Sequence, residues 1–128
     1  MRVKLSTVLL LFCVACLLPR CGSEHRIVGA FQLEQWEDGK TYYLHKRGYD
    51  DSRDGGSILG GVTRQVGWNS RFILAERYSF YRGDPDGWMI IDAQSGTISG
   101  PFTDAEIRSH PETKGIQTYE ADEAWRRL

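Results

Sequence analysis

The chain has 128 residues, 41% of them hydrophobic and 12% aromatic, which suits one packed domain rather than two or a disordered chain. Its 16 basic and 17 acidic residues nearly balance. Setting aside Arg2, Lys4 and Arg20 at the N-terminus leaves 13 basic against 17 acidic residues, a net charge of −4, which argues against nucleic acid or an anionic membrane as the main partner.

Residues 1–22 read as a signal segment. Arg2 and Lys4 start it, the uncharged run from Leu5 to Leu18 is apolar, and Pro19 breaks it. That run is short of the ~20 residues a membrane-spanning helix needs. Cys21, followed by Gly22-Ser23, resembles a lipidation site, although Arg20 stands where such sites carry a small residue. Release by cleavage after Ser23 is the alternative. Cys13, Cys16 and Cys21 are the three cysteines, so a mature domain over 23–128 has neither a disulfide nor a cysteine nucleophile.

The remainder predicts a mainly β, α+β fold: a single antiparallel meander sheet of five or six strands with one or two short C-terminal helices. Residues 26–46 form a hairpin about Glu37-Asp38-Gly39, with Tyr42 and Tyr43 on opposite faces. A third strand covers about 58–68, with Val62, Val66 and Trp68 on one face. The fourth, residues 71–78, is apolar on both faces through Phe72-Ile73-Leu74-Ala75 and belongs at the centre of the sheet. Trp88–Asp92 follows, then a turn with Gly96 placed for positive φ, then a strand at about 97–99 with Ile98 inward and the sheet ending at Gly100-Pro101. Thr103 and Glu106 have the spacing of a capping box, Ile107 faces in, and Pro111 stops the helix. Tyr119, Ala121, Ala124, Trp125 and Leu128 lie on one face of a short terminal helix. Trp68, Phe72, Leu74, Ile90 and Ile98 are the expected core.

Three motifs carry the pattern over about residues 58–110: Val66-Gly67-Trp68-Asn69-Ser70-Arg71-Phe72-Ile73-Leu74-Ala75-Glu76, then Trp88-Met89-Ile90-Ile91-Asp92-Ala93-Gln94-Ser95-Gly96, then Gly100-Pro101-Phe102-Thr103. They resemble a group of small exported bacterial proteins of unknown function, many of them lipoproteins. The resemblance implies an envelope protein with a small β-rich fold and implies no chemistry.

The chemical motifs are sparse. His25, His45 and His110 lack metal-ligand spacing, and neither a metal nor a cofactor is expected. No serine sits in a Gly-x-Ser-x-Gly turn. Asp50, Ser52 and Asp54 before Gly55 match the first half of a calcium loop, but Gly61 stands where the bidentate glutamate belongs. Arg82-Gly83-Asp84 spells an adhesion tripeptide and also reads as a plain turn. Two functions remain: a non-enzymatic module that binds an envelope protein or polymer, and a hydrolase using Asp50, Asp54 or Asp92. For the first, a meander places the turns at Asp38-Gly39, Asn69-Ser70 and Gln94-Ser95 at one end. The connections 47–57 and 79–87 then share the other end, and Tyr49, Asp50, Asp54, Tyr81, Arg82 and Asp84 form a binding rim there. The expected location is the periplasm or cell surface, with any membrane attachment through a lipid on Cys21.

Intact mass of the protein purified from the envelope tests export. The expected mass lacks residues up to 20–23, with a diacylglyceryl adduct if Cys21 is lipidated. An intact Met1-to-Leu128 mass would indicate an uncleaved anchor.

Overall fold

The computed structural model describes residues 24–48, 57–79 and 85–128. Among them are eight strands and two short helices: β1 (Glu24–Val28), β2 (Phe31–Gln35), β3 (Tyr42–Lys46), β4 (Val62–Trp68), β5 (Phe72–Tyr78), β6 (Gly87–Asp92), β7 (Ile98–Phe102), α1 (Asp104–Ser109), β8 (Thr118–Glu120) and α2 (Ala121–Arg127). The fold is mainly β and antiparallel, with its helices near the C-terminus. The strands divide into two sheets, β1-β2-β3 and β7-β6-β5-β4-β8, where the sequence suggests one. The division begins at Gly29-Ala30, where Gly29 takes φ +60 and folds the anticipated first strand back into β1 and β2. No helix among the described residues is long and apolar enough to cross a membrane.

β5 is the middle strand of the larger sheet, as its two-sided apolar run predicts. Ile73 and Ala75 point to one face, beside Ile91 and Met89 of β6 and Val66 of β4. There they join Phe31, Leu33, Tyr42 and Leu44 of the smaller sheet, together with Ala121 and Ala124 of α2, in the main core. Leu74 points to the other face, where it packs with Trp88 and Ile90 in a smaller cluster; Phe72, Phe102, Ile107 and Ile116 flank it. Alternation along one strand therefore feeds two cores.

Of the expected core, Leu74 and Ile90 are buried, while Trp68 and Phe72 are half-buried against clusters on opposite faces. Ile98 is 38% exposed because β7 is the outer strand. Val62 does not share the face of Val66. Arg77 and Glu76 are adjacent, but their β4 partners, Thr63 and Gln65, have Arg64 between them, so Arg64 is an inserted residue and the parity shifts. Thr63 takes the inward place at 3% exposure. A second inserted residue carries β7 through Gly100-Pro101 to Phe102, beyond the expected end of the sheet. Tyr42 is buried and Tyr43 half-exposed.

Turn chemistry follows the residues. Asn69 accepts from the Arg71 and Phe72 amides at 2.9 and 2.6 Å, Asp38 from those of Lys40 and Thr41 at 2.8 Å, and Gly96 has φ +78. Thr103 and Glu106 complete the capping box of α1. At the C-terminus the helix is preceded by β8, which pairs with β4 through Val66 and Tyr119. A methyl group on Gly67 would collide with the Gln117 carbonyl oxygen and meet Ile116 at 2.8 Å, so only glycine lets this segment lie against β4.

Ile90→Ala is expected to cost about 2–5 kcal/mol. Gly67→Ala is also expected to lower the melting temperature, because a backbone oxygen rather than a flexible side chain must move. Unchanged melting of either variant would contradict this packing.

Candidate functional site

Tyr49, Asp50, Asp54, Tyr81, Arg82, Asp84 and Cys21 lie outside the described residues, as does the calcium-like stretch at 50–55. Of their described flanks, the one before residue 49 and the one after residue 56 run to different ends of the larger sheet. A methyl group on Gly29, in the β1–β2 turn, would lie 3.9 Å from the Ala93 oxygen of the β6–β7 turn, and Arg47 bonds back to Ala30. From Ser57, which bridges His45, the chain runs the other way: the Ser57 hydroxyl donates to the Gly61 carbonyl at 3.3 Å, and Gly61 lies against Tyr78 and Ser79. Ser79 and Pro85 sit at this same end of β5 and β6, where the Ser79 amide donates to Asp86 and the Arg77 guanidinium donates to both Leu59 and Pro85. The Asp38-Gly39 turn also departs from expectation. Lys40 and Thr41 share a cleft with Val62, Thr63 and Arg64, at the end of β4 away from Asn69.

Asp92 is held in the β6–β7 turn. Arg71 donates to both of its oxygens, at 3.3 and 2.9 Å, and the Gln94 and Ser95 amides donate at 2.9 and 3.4 Å. The Arg71 hydrogen bonds lead in lowering its pKa to about 2. Such a carboxylate is poorly suited to general-acid work. The histidines are apart. His25 stacks on Trp125 at 3.7 Å, His45 lies 4.0 Å from Glu24, and His110 packs on Phe102. Beside His45, on the strand face away from Leu33 and Leu44, Glu34 has a raised pKa, first from its own burial and then from Glu24.

The sequence reading missed a groove on the second face of the larger sheet. Leu74, Trp88, Ile107 and Ile116 give it an apolar lining, and its volume is about 320 Å³. Three local causes shape it. The capping box starts α1 directly after β7, which seats Ile107 over the Trp88 cluster. The Trp88 indole donates to Asp104 at 2.6 Å and ties the helix start to the sheet. Gly67 brings residues 116–117 close on the other side. Arg108 and Lys114 also line the groove, with no intramolecular partner among the described residues. Thr113 is 4% exposed, and its hydroxyl oxygen is buried without a hydrogen-bond partner. Burying an unsatisfied polar group costs about 1–3 kcal/mol, and this hydroxyl is a cost the fold carries beneath the groove wall. Trp88 and the Thr103–Glu106 spacing are visible in the sequence, but Thr113 beside them depends on tertiary structure alone.

No family model matches the chain, and neither the curated proteins nor the solved structures contain a significant match.

The Asp92–Arg71 pair has a defined pH dependence. Its folded pKa lies below the unfolded value of about 3.9, so its stabilisation is present above pH ~4 and is lost as the pH falls towards 2. Asp92→Asn, which keeps the turn acceptor, is expected to lower the melting temperature at pH 7 and to match wild type near pH 2. An equal deficit at both pH values would contradict the assignment.

Proposed function

We propose that the chain is a binding module of the cell envelope, without catalytic activity, and that it recognises an envelope protein through the groove beneath α1. A groove floored by Leu74, Trp88, Ile107 and Ile116 and flanked by two cations, Arg108 and Lys114, carries this reading. A groove of about 320 Å³ lies within the size range of ligand sites, which pair apolar walls with a few placed polar groups. Here those groups are Asp104, Arg108 and Lys114. An apolar side chain of the partner fills the space over Trp88 and Leu74, and its polar neighbours meet the two cations. The signal-like residues 1–22 and the resemblance over residues 58–110 support the envelope location. A lipid on Cys21 is the proposed membrane attachment.

Capture from envelope extract tests the reading. Wild type, Thr113→Val and the double variant Arg108→Ala with Lys114→Ala are compared after their melting curves are recorded. Thr113→Val is expected to melt at or above the wild-type temperature, because it removes an unsatisfied hydroxyl while keeping the shape, and to capture like wild type, because that hydroxyl lies beneath the groove surface. The double variant is expected to lose capture. Equal capture by all three would overturn the reading. A loss seen only with Tyr81→Ala plus Arg82→Ala would move the surface to the 80–84 loop.

A further inference from the structure

A second groove lies across the 114–116 segment from the first, at the Asn69 end of β4. Its volume is about 370 Å³, and Trp68, Tyr119, Asn69, Gln117 and Lys114 line it. The two rings form an open corner, with centroids 5.9 Å apart and planes at 48°. Each is fixed from behind. Trp68 packs against the main core, and the Arg127 guanidinium covers Tyr119 at 4.2 Å while bonding Glu123 at 3.0 Å. Asn69 is also fixed, because its side-chain oxygen accepts from two backbone amides, which leaves its NH₂ group to donate elsewhere. The Trp68 indole N–H, the Tyr119 hydroxyl, the Gln117 amide and the Lys114 ammonium have no intramolecular partner among the described residues.

We infer that this corner is a subsite for a neutral pyranose saccharide. A pyranose ring presents C–H groups on one face, which suit the electron-rich face of an aromatic ring. Its edge carries hydroxyls that both donate and accept, and a planar amide meets both needs at once. Trp68 supplies the platform, Tyr119 the side wall, and Asn69 and Gln117 the edge contacts. An apolar peptide side chain would leave these polar groups unpaired. Lys114 is the one charged residue in the lining, and the chain beyond Arg20 carries net −4, so a polyanionic glycan meets repulsion outside the groove. The subsite shares the 114–116 wall with the groove beneath α1 but makes its contacts through Trp68, Asn69, Gln117 and Tyr119, so shifts and variants at those residues distinguish the two.

The test titrates the protein purified from the envelope with three probes: a β-linked glucose hexasaccharide, an N-acetylglucosamine hexasaccharide and a polygalacturonate oligomer. Tryptophan fluorescence and amide NMR shifts are followed. The inference expects saturable binding of at least one neutral probe, with shifts centred on residues 68–69 and 114–119. Gln117→Ala, at an exposed site, is expected to weaken that binding about three- to tenfold, the worth of one hydrogen bond of about 1 kcal/mol. Trp68→Phe, which keeps a ring in the core, is expected to weaken it as well. The inference is overturned if neither neutral probe binds, if the anionic oligomer binds more tightly, if both variants bind like wild type, or if the shifts centre on Trp88 and Thr113.

Discussion

The two-sided burial of β5 is the constraint on which the rest of the structure depends. Ile73 and Ala75 are fully buried on one face and Leu74 is nearly so on the other, so neither face of the central strand can be left to water. Each face needs a covering layer, and the chain supplies two different ones. Before β4 it makes a three-stranded sheet whose Phe31, Leu33, Tyr42 and Leu44 meet the first face, and α2 closes that core with Ala121 and Ala124. After β7 it makes only α1 and the 113–118 segment for the second face, where Leu74, Trp88 and Ile90 are the buried members. The second cover is thinner and consists of short, separately anchored pieces. A groove remains where α1 and the 113–118 segment do not meet.

Much of this is legible in the sequence where a local rule decides the outcome. Phe72 to Ala75 is apolar at successive positions and is the centre of the sheet. Thr103 and Glu106 satisfy the free amides of α1, Gly96 takes the positive φ its turn requires, and Asp92 bonds turn amides. The features that escape depend on one residue or on distant partners. Arg64 is a single inserted residue with no sequence signature, yet it moves Thr63 inward in place of Val62. β8 has three residues and exists through pairing with β4, more than fifty positions earlier. Gly29 reads in sequence as one more residue of a strand, and its φ of +60 divides the sheet there.

The candidate site is less legible than the fold for the same reason. Charge and aromatic content direct attention to the loops at 49–54 and 81–84, which lie outside the described residues. What the fold does bring together is Trp88 with Asp104 and Thr113, and Trp68 with Tyr119, pairings separated by 16 to 51 positions. Gly67 governs both grooves, because its missing side chain lets residues 116–117 lie against β4. The 114–116 segment is then a wall shared by the proposed protein-binding groove and the proposed saccharide subsite, so occupation of one bears directly on the shape of the other.

The central claim is that one face of the larger sheet is firmly sealed and the other lightly covered. Amide hydrogen exchange on the intact protein tests it most directly, because local opening is read segment by segment. The account predicts slowest exchange in β5 and β6 and clearly faster exchange in α1 and residues 113–117, with α2 nearer to the slow class. Protection of α1 and residues 113–117 equal to that of β5 would contradict it.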